Sequence, residues 1–133
     1  MTFLLDTHYF IWALTNTKLL PKKVKKAIVD PNNKILVSAL TFWEISLKTA
    51  LGKMSISGIS PEKLPEVCRE AQFKIISLLP EECATFLQLK AHYHKDPFDR
   101  MLIWQAIFND FVLLTGDKQI VQYSSEGLKL FIA

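Results

Sequence analysis

Short, nearly continuous apolar runs alternate along the chain with longer segments of helical period. Phe3-Leu4-Leu5, Lys34-Ile35-Leu36-Val37-Ser38, Lys74-Ile75-Ile76-Ser77-Leu78, Phe111-Val112-Leu113-Leu114 and Lys129-Leu130-Phe131-Ile132 read as strands. Strands without polar alternation are those buried on both faces, as in a parallel sheet covered by helices. Between them lie the apolar run Tyr9-Phe10-Ile11-Trp12, a helix from about Thr41 to Leu51 stopped by Gly52, and another from Glu81 to about Tyr93. A further helix opens at Asp96-Pro97, and Thr115-Gly116-Asp117 reads as a turn. This alternation predicts a three-layer α/β/α fold around a central, mainly parallel sheet of four to five strands. No internal repeat is visible, and Gly58-Ile59-Ser60-Pro61 reads as a loop leading to a helix. The whole span 1–133 is therefore expected to be one domain.

In an open parallel sheet, ligands bind beyond the carboxyl ends of the strands. Four acids occupy those ends. Asp6 follows Leu4-Leu5, and Asp117 lies three residues beyond Leu114. Glu44 is expected in the first turn of the helix after Ser38, and Asp99 in the first turn of the helix after Asp96-Pro97. Three of them also have a structural reading. Thr41-Phe42-Trp43-Glu44 fits a capping box, Asp96-Pro97-Phe98-Asp99 places Asp96 at N-cap, Pro97 at the first helical position and Asp99 at the third, and Asp117 fits a cap for Lys118 to Tyr123. Asp6 is harder to explain this way, because an acid directly after a buried strand needs a partner or a cation.

Taken together, four carboxylates at one rim repel one another, and no Lys or Arg run stands beside them in the sequence. A carboxylate-only set without Cys or His points to Mg²⁺, with Mn²⁺ as the alternative, and to phosphodiester hydrolysis. A phosphotransfer enzyme with Asp6 as nucleophile is a rival, but such enzymes want a second acid two residues on, where His8 stands.

Composition narrows the classes. Half of the 133 residues are hydrophobic and 22% are charged, which excludes a disordered chain and supports a real core. The apolar runs are too short to span a bilayer and the N-terminus lacks a leader, so a cytoplasmic protein without membrane association is expected. Cys68 and Cys83 lack metal-type spacing and are expected to be two buried reduced thiols. Net charge is +3, split as +5 over residues 1–60 and −2 over 61–133. Lys22, Lys23, Lys25 and Lys26 flank Val24 as either a solvated helix face or a phosphate-binding patch.

The chain resembles the PIN-domain ribonucleases, and within them the VapC-type toxins of prokaryotic toxin–antitoxin pairs. The matching stretches are Leu4-Leu5-Asp6-Thr7-His8, Val37-Ser38-Ala39 through Trp43-Glu44-Ile45, Asp96-Pro97-Phe98-Asp99-Arg100-Met101-Leu102-Ile103, and Leu113-Leu114-Thr115-Gly116-Asp117. The resemblance implies an Mg²⁺-dependent endoribonuclease in which Asp6, Glu44, Asp99 and Asp117 are the catalytic metal ligands. It implies support from Thr7 and Thr115. Asp96 stands between a cap and a metal helper, and Arg100 between a phosphate contact and a structural ion pair. His8 reads as structural. Trp104 departs from the smaller residue usual in relatives and bears on packing or a dimer face. The resemblance also implies an RNA substrate, a cognate antitoxin and a homodimer. The alternatives are a catalytically weak PIN-like module for RNA binding or assembly, and a housekeeping RNA-processing nuclease.

Overall fold

The computed structural model describes residues 1–131, so Ile132 of the last predicted strand lies outside the described residues. Five strands form one sheet: β1 (Thr2–Leu5), β2 (Lys34–Ser38), β3 (Lys74–Ile76), β4 (Val112–Leu114) and β5 (Lys129–Leu130). Their order is β3-β2-β1-β4-β5, and every pairing among the described residues is parallel. β1 lies at the centre, with Leu4 level with Leu36 on one side and Leu113 on the other.

The apolar runs make a sheet buried twice over. Phe3, Leu5, Ile35, Val37 and Leu114 face one core; Leu4, Leu36 and Leu113 face the other. Successive strand side chains point to opposite faces, so each run feeds both layers. The first face is covered by α1 (Thr7–Thr15), α2 (Lys22–Val29) and α4 (Leu64–Glu70), through Phe10, Val24, Leu64 and Cys68. The second is covered by α6 (Pro97–Asn109) and α7 (Lys118–Val121), through Leu102, Ile103, Ala106 and Ile120. Burial of each such Leu, Phe or Ile contributes about 1.5–3 kcal/mol before the cost of ordering it. The three-layer expectation holds. No helix among the described residues is long and apolar enough to cross a membrane.

Two helix boundaries differ from the pattern reading. α3 (Ala39–Ala50) begins two residues before Thr41, because Ser38 caps it by accepting the Leu40 N–H at 3.1 Å. The Thr41–Glu44 capping box therefore does not form: Thr41 is buried inside the helix, and Glu44 lies beyond the first turn. The helix expected from Glu81 to Tyr93 is only α5 (Pro80–Thr85), followed by a 3₁₀ turn over Phe86–Gln88. Glu82 turns inward to accept from the Leu79 N–H, Gln105 and Asn109. Beyond it, Arg100 takes the carbonyls of Leu89 and Ala91, which a continuing helix would have used internally.

Cys68 is buried, and burial pushes its thiol up to about 11; Cys83 is exposed, against the expectation of two buried thiols. Trp104 is buried, and its Nε1–H donates to Thr85 Oγ1 at 3.1 Å. This residue therefore serves packing between α6 and α5 and is not part of an exposed face.

Candidate active site

The carboxyl ends of β1 and β4, the adjoining first turn of α6 and the middle of α3 bring the predicted acids to one rim. Asp6 ends β1 and caps α1, with Oδ1 accepting the Tyr9 N–H at 2.8 Å. Its Oδ2 accepts the Thr115 hydroxyl at 2.6 Å, and that same hydroxyl oxygen accepts the Asp117 N–H at 3.1 Å. Thr115 thus ties the two strand-end acids together. Asp6 is 6% exposed, and burial pushes its pKa above the usual carboxylate range despite the Thr115 and Tyr9 hydrogen bonds.

Glu44 is buried, and its Oε1 accepts from the buried Thr7 hydroxyl. Its Oε2 meets Lys48, one turn further along α3, and Lys48 also reaches Asp96 Oδ2 at 3.1 Å. Burial works against the Lys48 charge, yet Glu44 and Asp96 hold its pKa above the ordinary value. Asp96 has both oxygens committed. Oδ1 caps α6 through the Phe98 and Asp99 N–H groups, and Oδ2 meets Lys48. Burial alone would raise its pKa; the Lys48 and backbone donors outweigh that and lower it.

The pKa of Asp99 is raised as well. Burial, then the charges of Asp96 and Glu44, push it up to about 6, against the opposing pull of His94. Asp117 caps α7 with Oδ1, which accepts the Gln119 N–H at 2.8 Å. Its Oδ2 lies 2.8 Å from His94 Nε2, and Asp99 Oδ2 lies 3.3 Å from the same nitrogen. Asp99, Asp117 and His94 can place three ligand atoms within 4.8 Å of one another.

The chemistry of this set suits a hard divalent cation. Four carboxylates supply oxygen donors, and mutual repulsion at Asp99 is what a dication relieves. Two groups that the sequence reading passed over already do part of that work: Lys48 between Glu44 and Asp96, and His94 between Asp99 and Asp117. Lys48 was legible as an i,i+4 partner of Glu44. His94 was not, since it sits in an irregular loop.

Arg100 makes no ion pair among the described residues. Its guanidinium donates to the carbonyls of Leu89 and Ala91 at 3.1 and 3.2 Å and lies 4.9 Å from the Phe86 ring centroid. It fastens the segment that leads to His94.

Beside Asp6 and Asp117 opens a cleft of about 410 Å³, lined by His8, Tyr9, Trp12, Leu19, Pro21 and Gly116 as well. A Cβ at Gly116 would stand 2.9 Å from the Tyr9 hydroxyl oxygen, so a larger residue there would displace the end of that side chain. The four lysines of α2 are exposed. Lys25 also lines a cavity of about 580 Å³ with Lys34 and Lys74, at the amino ends of β2 and β3.

The family model of the PIN domain matches residues 3–125. The chain belongs to the PIN domain family. No protein of curated function matches it in sequence. Among solved structures, this PIN domain is similar to a chain of DNA-bound VapBC from Salmonella typhimurium, with TM-score 0.69 and 16% identity over 98% of this chain and 97% of that one. It is likewise similar to a chain of VapBC2 from Rickettsia felis bound to a promoter DNA fragment, with TM-score 0.66 and 16% identity over 98% of each chain. A third likeness is to VapBC-5 from Mycobacterium tuberculosis, a member of the VapBC family of toxin–antitoxin systems (TM-score 0.60, 14% identity, 99% and 98% coverage). At such identities the likeness concerns the fold.

Proposed function

We propose that this PIN domain is an endoribonuclease that hydrolyses RNA phosphodiester bonds with Mg²⁺ or Mn²⁺, and that it is the toxin of a toxin–antitoxin pair. The observation that carries the reading is the convergence of Asp6, Asp99 and Asp117 at one rim, with Glu44 charge-coupled to Asp99 and the PIN fold around them. Asp6, Glu44, Asp99 and Asp117 hold the cation. When bound, it supplies a polarised water and neutralises charge on the phosphate.

The residues of the chain prepare that site. Thr115 opposes the effect of burial on Asp6 and aims it by donating to one oxygen, and the Tyr9 N–H fixes the other. Thr7 orients Glu44. Lys48 takes up charge that would otherwise crowd Asp99, holding Asp96 and Glu44 on its own side. The cleft walled by His8, Tyr9 and Trp12 receives a nucleotide of a single-stranded or looped RNA, since an unpaired base offers a face for stacking. Lys22, Lys23, Lys25 and Lys26, exposed on α2 directly after the cleft residue Pro21, offer contacts to the phosphates of the RNA backbone.

The partner assignment is supported by an exposed apolar row along α3 and its C-cap residue Leu51. Trp43, Leu47 and Leu51 recur at four-residue spacing and are 61%, 37% and 59% exposed. Trp43 also packs edge-on against Phe98, the neighbour of Asp99. An antitoxin seated on this row abuts the acidic rim and can block it, and a second copy of the chain completes a homodimer elsewhere. The Salmonella, Rickettsia and Mycobacterium relatives are VapBC proteins, which accords with such a pairing.

The purified chain, incubated with single-stranded, looped and duplex RNA in Mg²⁺, Mn²⁺ or EDTA, tests the reading. Cation-dependent cleavage of unpaired RNA, suppressed by the product of a neighbouring small gene, is expected. Absence of both cleavage and cation binding contradicts it.

A further inference from the structure

We propose that His94 is a positioning residue that holds Asp99 and Asp117 together in the cation-free protein and is displaced from them when the cation binds. The proposal rests on the reading of these acids as a dication site.

The tautomer of His94 follows from its neighbours. The Asp96 backbone N–H donates to Nδ1 at 3.1 Å. A backbone amide can only donate, so Nδ1 accepts and the ring's N–H is at Nε2. That Nε2–H faces Asp117 Oδ2 at 2.8 Å, with Asp99 Oδ2 at 3.3 Å. A protonated Nε2 offers no lone pair to a metal. For His94 to become a ligand through Nε2, its proton would have to move to Nδ1 and confront the Asp96 N–H. The ring therefore acts as a donor, not as a third ligand beside Asp99 and Asp117.

Its target oxygens are those that a cation at this rim needs. Asp99 Oδ2 and Asp117 Oδ2 are the two carboxylate atoms that the ring draws together. The backbone of His94 is fixed, because its N–H donates to the Tyr123 hydroxyl at 3.1 Å, and that hydroxyl in turn donates to Ala91 O. Only the side chain is left to yield. His94 thus keeps two repelling carboxylates in register while the site is empty, and weakens cation affinity by as much as it must give up.

Calorimetric titration with Mn²⁺ alone, without RNA, tests this on the full chain. In His94→Asn the amide oxygen replaces Nδ1 and keeps the Asp96 bond, but nothing reaches Asp117. In His94→Gln the amide nitrogen replaces Nε2 and keeps the donor. His94→Asn and His94→Ala are expected to bind Mn²⁺ about tenfold more tightly than the unmodified chain, and His94→Gln to stay within about threefold of it. Equal affinities for all four proteins overturn the proposal, and so does weaker binding by His94→Asn, which would make His94 a net aid to cation binding, whether as a ligand or as a support for its ligands. Asp117→Asn is the control for the site itself. If no protein of the series binds Mn²⁺, the dication reading fails and this proposal with it; if the unmodified chain binds and only the His94 expectation fails, the site survives without the displacement.

Discussion

Thr115 donates its hydroxyl to Asp6 across 109 residues of sequence, at 2.6 Å, joining the ends of β4 and β1. The contact matters because burial otherwise drives Asp6 toward its neutral form. Removing the donor while keeping the shape isolates this effect. Thr115→Val is expected to lower the affinity for Mn²⁺ and to destabilise the fold by about 1–3 kcal/mol, as a buried carboxylate loses its donor. Thr115→Ser should restore most of both. Calorimetry and chemical denaturation on the two variants make the comparison.

Asp99 gives the site its pH dependence. Its pKa is raised to about 6 in the folded chain, first by burial and then by Asp96 and Glu44. A raised acid binds more protons folded than unfolded, so it favours the folded state at low pH and costs stability as pH climbs through 4 to 6. The cation-free protein should therefore be destabilised by Asp99 at neutral pH. Asp99→Asn is expected to raise the melting temperature at pH 7 by about 3 °C or more and to have little effect near pH 4. Cation binding to the unmodified chain runs the other way and should weaken as pH falls below 6, because a proton then competes for Asp99. Melting curves and Mn²⁺ titrations between pH 4 and 8 read both trends.

Arg100 is expected to act through the segment it fastens. Arg100→Ala removes two hydrogen bonds to the Leu89 and Ala91 carbonyls and the contact with Phe86, and should cost about 1–3 kcal/mol. Arg100→Lys should recover only part of this, since an ammonium lacks the planar guanidinium face that lies over the Phe86 ring while one nitrogen reaches both carbonyls. The salt dependence of RNA binding should not change, which distinguishes this role from a phosphate contact. Denaturation and filter-binding at several salt concentrations provide the check.

Much of this site can be read from the chain because its acids sit where strand ends and helix starts coincide. Asp96 before Pro97 and Asp117 after the Thr115-Gly116 turn follow from local rules of capping, and the structure shows both caps. Asp6 was legible only as an acid after a buried strand; its cap on α1 emerges from the structure. What local rules could not reveal depends on distant partners. Ser38 outcompetes Thr41 as a cap, so Glu44 is free to meet Thr7 and Lys48 across the rim. The buried hydrogen bonds of Glu82 and the reach of Arg100 break a helix that periodicity would have carried to Tyr93. His94 acquires its place only through that break.

Trp12 walls the cleft beside Asp6 and Asp117, and Tyr9 and His8 flank it at ring-centroid distances of 5.8 and 6.1 Å. Trp12→Ala is expected to weaken binding of single-stranded RNA by about 5- to 100-fold, the worth of one stacked base, while leaving Mn²⁺ affinity unchanged. RNA binding measured on the Asp6→Asn background avoids turnover of the ligand. An equal loss of cation affinity would show that Trp12 supports the acids instead of the substrate.

The account stands most directly on Asp6. Unmodified and Asp6→Asn proteins, both shown to be folded by circular dichroism and free of any co-purified partner, should be compared on the same looped RNA across a range of Mg²⁺ concentrations. Cleavage that rises with Mg²⁺, disappears with EDTA and is lost at least about a hundredfold in Asp6→Asn is the expected result. Full Mg²⁺-dependent cleavage by a folded Asp6→Asn protein would contradict the assignment of these acids as the catalytic site.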